Sequence, residues 1–338
     1  MSSMDIGIDL GTTTVIIYFK DKGAVLSEPS VVAINRKTDE VVAVGEEAYR
    51  MLGKAPDRLQ VIKPMSDGVI SDYAATEVMI KFFLHKVFGN SIIKPRVSIC
   101  VPSQITGVES KAVVDSAVTA GARKVYLIEE PVAAALGAGL DITKPNGNMI
   151  VDIGGGTTDI AVLSLNGIVT KQSIKVAGNK MDDAIIRHMK DYHNLLIGEQ
   201  TARHIKTEVG CAYPREDSKS VAVRGRNLLT GLPQMIDIGW KEIYGAIKDH
   251  VAEIILSVQQ VIERTPPELV GDVYSNGIVM TGGGSLLYGM DTLITEQTKI
   301  KARVAEDPVN CVAKGTAMSF DYLDKLYDGF VDTGIKMK

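Results

Sequence analysis

Two stretches far apart in the chain repeat one pattern, and the repeat limits the folds available to it. Residues 148–163 read N-M-I-V-D-I-G-G-G-T-T-D-I-A-V-L: an apolar run ends in Asp152, three glycines and two threonines follow, and a second apolar run begins at once. This is the pattern of a strand, a tight loop and a second strand. Glycines lack Cβ atoms, so the backbone can take positive φ and turn successive N–H groups inward as a concave anion site. Thr157 and Thr158 add hydroxyls, and Asp152 at the strand end can hold a hydrated divalent cation through its waters. Read alone, the stretch also fits an ordinary glycine-containing hairpin. Residues 5–18 read D-I-G-I-D-L-G-T-T-T-V-I-I-Y and set Asp9, Leu10, Gly11, Thr12, Thr13 and Thr14 in the same order. The repeat predicts a duplicated α/β fold in which each half supplies one phosphate loop and the two face each other across a cleft.

At 338 residues the chain exceeds what one core usually supports, which implies two domains. A hydrophobic share of 45% with 23% charged residues is that of a soluble globular protein. The net charge of −4 comes without a basic block, which argues against a nucleic-acid partner. Cys100, Cys211 and Cys311 are odd in number and far apart, so they read as small core hydrophobes in a reducing compartment. The N-terminus does not resemble a signal peptide and no apolar run is long enough to span a bilayer, so the expected location is cytoplasmic.

Along the chain, 29–34 and 41–45 read as strands and 46–52 as a short helix, together a small unit closed near Lys63, Pro64 and Met65. A helix is expected over 73–87, and 89–95 reads as a loop carrying two adjacent aliphatics, Ile92 and Ile93. The continuous apolar run 97–101, stopped by Pro102, fits a buried parallel strand. A helix over 109–120, a strand over 125–128 and a helix over 132–136 with Pro131 in its first turn follow. In the second half, helices are expected from about 178 to 192 and over 201–209, and 213–233 reads as a small β-rich unit. From Tyr244 an apolar stripe at helical spacing runs to Pro266 and reads as core. A strand over 278–280 and the loop Thr281-Gly282-Gly283-Gly284-Ser285 precede a helix expected to begin at Leu286. That loop suits a ribose, adenine or phosphate contact, or plain turn chemistry. The five histidines, His85, His188, His193, His204 and His250, show no metal or triad spacing and read as structural.

Two Asp-Gly-Thr hairpins, the segment Ile128-Glu129-Glu130-Pro131 and the late Gly-Gly-Gly-Ser loop, in this order, resemble the actin, hexokinase and DnaK-like ATPase superfamily. The chain is identified as a member of its MreB family, the bacterial actins, on motifs running from about Asp5 to Ala317. These are Ser27-Glu28-Pro29-Ser30-Val31, Pro64-Met65-Ser66-Asp67-Gly68-Val69-Ile70, Lys94-Pro95-Arg96-Val97, Leu229-Thr230-Gly231-Leu232-Pro233 and Thr265-Pro266-Pro267-Glu268-Leu269. The sequence departs from the family at Thr13-Thr14-Val15, where Ala-Asn-Thr is usual, at Asp159 in place of Glu, and at Arg203, where a Glu often stands. The family's N-terminal amphipathic helix has no counterpart in Met1-Ser2-Ser3-Met4.

The resemblance implies the actin-like ATPase fold: two duplicated domains with ribonuclease H-like mixed sheets, each bearing a small subdomain. The expected boundaries are 1–32, 66–142 and 315–338 for subdomain IA, 33–65 for IB, 143–179 and 238–314 for IIA, and 180–237 for IIB. It implies ATP held by Gly11, Thr12, Thr13, Thr14, Gly154, Gly155, Gly156, Thr157, Thr158 and Gly178, with Mg²⁺ held through water by Asp9 and Asp152. Lys206, Glu208, Gly282, Gly283, Gly284 and Ser285 are the implied nucleoside contacts. Catalysis falls to Glu130, which orients the attacking water, with Thr157 and Asp152. From the residues alone, Glu130 is equally a helix N-terminal carboxylate favoured by the dipole.

The resemblance further implies a self-polymer of antiparallel paired protofilaments at the inner face of the cytoplasmic membrane, with membrane adaptor and morphogenesis proteins as partners. Val114, Ala117 and Val118, with Gly121, share one helical face that fits either the pairing surface or the domain interior. Ile92 and Ile93 match the membrane-insertion loop, and each contributes ~1.5–3 kcal/mol on leaving water. A monomer would thus bind weakly and a filament firmly. The competing readings are a chaperone-type ATPase, which requires a substrate domain after the ATPase where this sequence stops at Lys338, and a small-molecule kinase, for which no carboxylate base beside a substrate pocket is evident.

Overall fold

Each predicted hairpin forms, and each seeds a sheet of the same plan. In the computed structural model, which describes residues 4–89, 94–102, 105–323, 326 and 330–336, strand Asp5–Leu10 pairs antiparallel with Thr14–Phe19, and Asn148–Ile153 pairs antiparallel with Thr158–Ser164. Each hairpin continues antiparallel into a third strand, Gly23–Pro29 or Gly167–Ile174. On its other side, each first strand lies parallel to later strands: Arg96–Val101 and then Lys124–Glu129 in the first half, Ile278–Thr281 and then Ala302–Val304 in the second. Phe330–Lys336 closes the outer edge of the first sheet, antiparallel to Lys124–Glu129. Parallel neighbours need crossovers, which the helices supply.

The helices begin and end where the local chemistry directs. Asp72 caps Tyr73–Phe88 by accepting from the N–H of Ala75 at 2.9 Å. Thr106 and Glu109 form a reciprocal capping box on Gly107–Thr119. Helix Gly178–His193 ends at Asn194 in the left-handed region, φ 49°.

Small sheets complete each half. In the first, Val41–Val44, Val32–Asn35 and Leu59–Ile62 pair beside helix Glu46–Met51. In the second, Leu195–Leu196, Ser220–Asn227 and Pro233–Gly239 pair beside helix Glu199–Val209. The run 29–34 is not one strand, because Pro29 ends a strand of the large sheet and Val32 begins one of the small sheet. The helix after the third glycine loop starts at Met290, because 283–286 winds as a 3₁₀ turn first.

Each half has its own apolar core, and a third cluster joins them around Ala133–Leu136, Ile150, Val279 and Val312. Helices Glu130–Gly137 and Cys311–Met318 cross within it. A Cβ on Gly137 would stand 1.8 Å from the carbonyl oxygen of Cys311, and one on Gly315 would stand 1.8 Å from that of Ala133. Only glycine permits that approach, and with it the juxtaposition of the two halves.

Val114 and Ala117 belong to the first core, 3% and 0% exposed, and Val118 is half-buried against it. Of the two readings of this face, pairing surface or domain interior, the burial of Val114 and Ala117 supports the interior. The spacing identified one side of the helix correctly, but spacing does not distinguish inside from outside. All three cysteines are buried and free.

Candidate functional site

The hairpin turns meet in one cleft of about 650 Å³ between the two halves. Asp9, Gly11, Thr12, Thr13 and Thr14 line it from one side, and Asp152, Gly154, Gly155, Gly156 and Thr157 from the other. The loops interlock. A Cβ added to Gly155 would lie 1.8 Å from Thr13 Oγ1, and one added to Gly156 would lie 2.5 Å from Thr12 Oγ1. The glycines therefore leave room for the opposing threonines as well as for inward-turned N–H groups.

Secondary contacts fix both loops. Ser30 Oγ donates to the carbonyl of Gly11 at 2.6 Å, and the N–H of Gly68 donates to Thr12 Oγ1 at 3.1 Å. Behind the second loop, the N–H groups of Gly178 and Asn179 donate to the carbonyls of Gly154 and Gly155 at 3.2 and 2.8 Å. The N-terminal end of helix Gly178–His193 thus seats the glycine loop with its positive pole toward the cleft.

Acidic side chains converge at the cleft floor. Burial pushes Asp9 up to about 8, and the charge of Asp152 adds to the shift. Burial pushes Asp152 to about 7, with Asp159 adding to it and the Thr281 hydroxyl, which donates to Asp152 at 2.6 Å, working against it. Glu130 is held well above the carboxylate range by burial first, then by Asp159, Asp152 and Asp9. Asp159, opposite Asp152 in the strand pairing, is also raised by burial. Neither of its oxygens has a hydrogen bond of ordinary geometry, although Glu130, Ser173 and Thr157 stand close enough to act on it. Cys100 reaches the same floor, its ligating atom within 4.8 Å of those of Asp9 and Glu130.

The far wall comes from the second half. Lys206, Glu208, Gly282, Gly283 and Gly284 line the cleft, as does Gly178. Lys206 is paired with Asp182 at 2.8 Å and donates to the carbonyl of Gly178 at 2.7 Å, so its charge is largely met within the protein. Arg203 lies 3.8 Å from the same carboxylate.

Two expected contacts fall outside the cleft lining. Thr158 is fully buried and donates to the carbonyl of Val176 at 2.7 Å, because the strand has already begun at that residue. Ser285 is buried and donates to the carbonyl of Gly282 at 2.6 Å, shaping the loop instead of facing the cleft. Ile92 and Ile93 lie outside the described residues.

Sequence reading missed Asn179, Arg215, Leu287 and Tyr288, all in the lining. The Arg215 guanidinium lies over the Tyr288 ring, 4.2 Å from its centroid, and pairs with Asp217 at 2.7 Å. Only Asn179 had a signal, its place beside Gly178 at a helix start. It also missed that His188 and His193 meet at Glu242.

A profile of the MreB/Mbl protein family matches residues 3–328. The cell shape-determining protein Mbl of Bacillus subtilis (strain 168) is 49% identical over 327 residues, 96% of this chain and 98% of that protein. The cell shape-determining protein MreB of Escherichia coli (strain K12) is 46% identical over 330 residues, 96% of this chain and 95% of that protein. Among solved structures, MreB 5 of Spiroplasma citri bound to AMPPNP superposes with a TM-score of 0.90 at 36% identity, covering 96% of this chain and 98% of that one.

Proposed function

This chain belongs to the MreB/Mbl family, and on that premise we propose that it binds ATP between its two halves, hydrolyses it slowly and assembles into actin-like filaments that determine cell shape. The observation that carries the reading is the interlock of two Asp-Gly-Thr turns over a shared acidic floor, which leaves room between them for one polyphosphate. Family membership sets aside the chaperone and small-molecule kinase readings.

The residues present fit a hydrated dication. Asp9 and Asp152 share a floor in which burial and neighbouring carboxylates already disfavour their negative charge, and a cation there relieves both. Mg²⁺ held through water by these two carboxylates would neutralise charge on the β- and γ-phosphates. The chain's own groups do the rest. The N–H groups of the second loop and the hydroxyls of Thr12, Thr13 and Thr157 position the phosphates. Glu130 faces the cleft and orients the attacking water, for which it must be ionised. Burial and Asp159 are the main causes that keep a proton on Glu130, and Asp152 and Asp9 add to them, so a cation offsetting the two aspartates would weaken that hold in the direction of the ionised form.

The test is pelleting and phosphate release with Mg-ATP. The protein should sediment as filaments, while Glu130→Ala should keep ATP affinity within a few-fold and slow phosphate release about 10²-fold or more. Unchanged release in the variant removes Glu130 from the mechanism, and the absence of sedimenting polymer removes the filament.

We place these filaments at the inner face of the cytoplasmic membrane, with adaptor and morphogenesis proteins as partners. The support is the pair Ile92 and Ile93 set between turn residues. Converting both to serine should abolish co-sedimentation of filaments with liposomes, and persistent binding would move the contact elsewhere.

A further inference from the structure

Away from the cleft, two histidines and a glutamate from different helices meet at one point. His193 is the last residue of helix Gly178–His193, and Glu242 lies in the first turn of helix Trp240–Arg264. His193 Nε2 stands 2.7 Å and His188 Nε2 stands 3.4 Å from the same oxygen of Glu242. One ligating atom from each of the three residues lies within 4.8 Å of the other two. His188 is held in place by stacking on Tyr192, ring centroids 4.7 Å apart, and by an edge contact with His193.

We propose that His188, His193 and Glu242 form a binding site for a first-row transition metal of the Zn²⁺ class. Imidazole nitrogen and carboxylate oxygen are the ligand types that Zn²⁺ takes, at about 2.0–2.2 Å, in three-protein-ligand tetrahedral sites whose fourth position is water. Tetrahedral ligands at that bond length stand roughly 3.3 Å apart, so the two nitrogens and the oxygen need to move by only about an ångström. The glutamate is partly exposed, side chain 41%, so a fourth ligand could come from solvent. Two imidazoles already aimed at one anionic oxygen are close to this arrangement without metal.

The position gives the site a consequence. The chain leaves helix Gly178–His193 into the small unit 194–239 and returns through helix Trp240–Arg264, and the three ligands sit at the neck between exit and return. His193 and Glu242 are 49 residues apart in sequence, so a metal would clip a long loop at its base. A metal that binds the folded neck and not the unfolded chain, where the ligands are far apart, stabilises the folded state by mass action. The clipped unit carries Arg203, Lys206 and Glu208 of the cleft wall.

The test is a Zn²⁺ titration of the full chain, followed by calorimetry, with Mg-ADP and excess Mg²⁺ present so that the acidic floor of the cleft is occupied. One equivalent should bind and raise the melting temperature. His188→Gln, His193→Gln and Glu242→Gln should each weaken binding by more than about 100-fold, since loss of even an outer-sphere partner costs 10–100-fold. Co²⁺ added to the unaltered protein should give tetrahedral visible absorption, which checks the ligand geometry even if a variant fails to fold. No Zn²⁺ binding, no Co²⁺ absorption, or equal Zn²⁺ affinity in folded variants overturns the site and leaves a hydrogen-bonded cluster; none of these outcomes bears on ATP binding.

Discussion

The first and second hairpin turns share a sequence theme and a sheet position, yet they supply different chemistry. The turn after Asp9 is built of side chains: Thr12 accepts from the Gly68 N–H, and Thr13 lies 3.4 Å from Asn179 Oδ1. The turn after Asp152 is built of backbone, three glycines seated on a helix N-terminus. Their shapes are complementary, since the missing Cβ atoms of Gly155 and Gly156 are the space into which Thr13 and Thr12 project. A duplicated element has diverged into a knob and a socket that fit together across the cleft.

The aspartates test whether the halves act on a common cation. Asp9→Asn and Asp152→Asn should each lower Mg²⁺-dependent phosphate release by about 10²–10³-fold, the scale seen when one electrostatic contact to a developing charge is removed. A large effect from only one of the pair would break the symmetry. The socket comes next. Gly155→Ala should weaken ATP binding by about 10²-fold, because displacing the loops by even 1 Å misaligns their ligands. Thr13→Ala alone should cost only about 2–10-fold, the range of one neutral hydrogen bond, and added to Gly155→Ala it should restore part of the lost affinity. Fluorescent-nucleotide titration reads all three; failure of the double variant to recover would mean that the knob and socket are not in contact.

The remaining effect is thermal. Asp9 and Asp152 are raised in the folded state to about 8 and about 7, from 3.8 unfolded. The folded state binds more protons in between, so the contribution is fully present below about pH 3.8 and is lost as pH rises toward 8. The melting temperature of nucleotide-free protein should therefore fall between about pH 5 and pH 8. Saturating Mg-ADP should flatten that slope; a slope of equal size with the ligand bound would show that the two carboxylates do not cause it.

What could be read before folding was local. The hairpins and the apolar strand Arg96–Val101 carry their pattern within a few residues, so the duplicated architecture was legible. Asp159 stood out as a departure from the family, but its place on the acidic floor was not legible, because Thr158–Ser164 is a strand buried on both faces with no polar alternation to mark one side. Arg215 and Tyr288 are 73 positions apart and meet only in the folded protein, as do His193 and Glu242. Val114 and Ala117 were placed on one face but not on one side of it, because a stripe of small aliphatics looks the same whether it packs inward or toward a second copy; their burial selects the interior.

The most direct measurement is a crystal structure with Mg²⁺ and a non-hydrolysable ATP analogue. The triphosphate should lie between residues 11–14 and 154–157, with the cation one water layer from both Asp9 and Asp152. Phosphates bound by one loop alone, or a cation away from either aspartate, would contradict it.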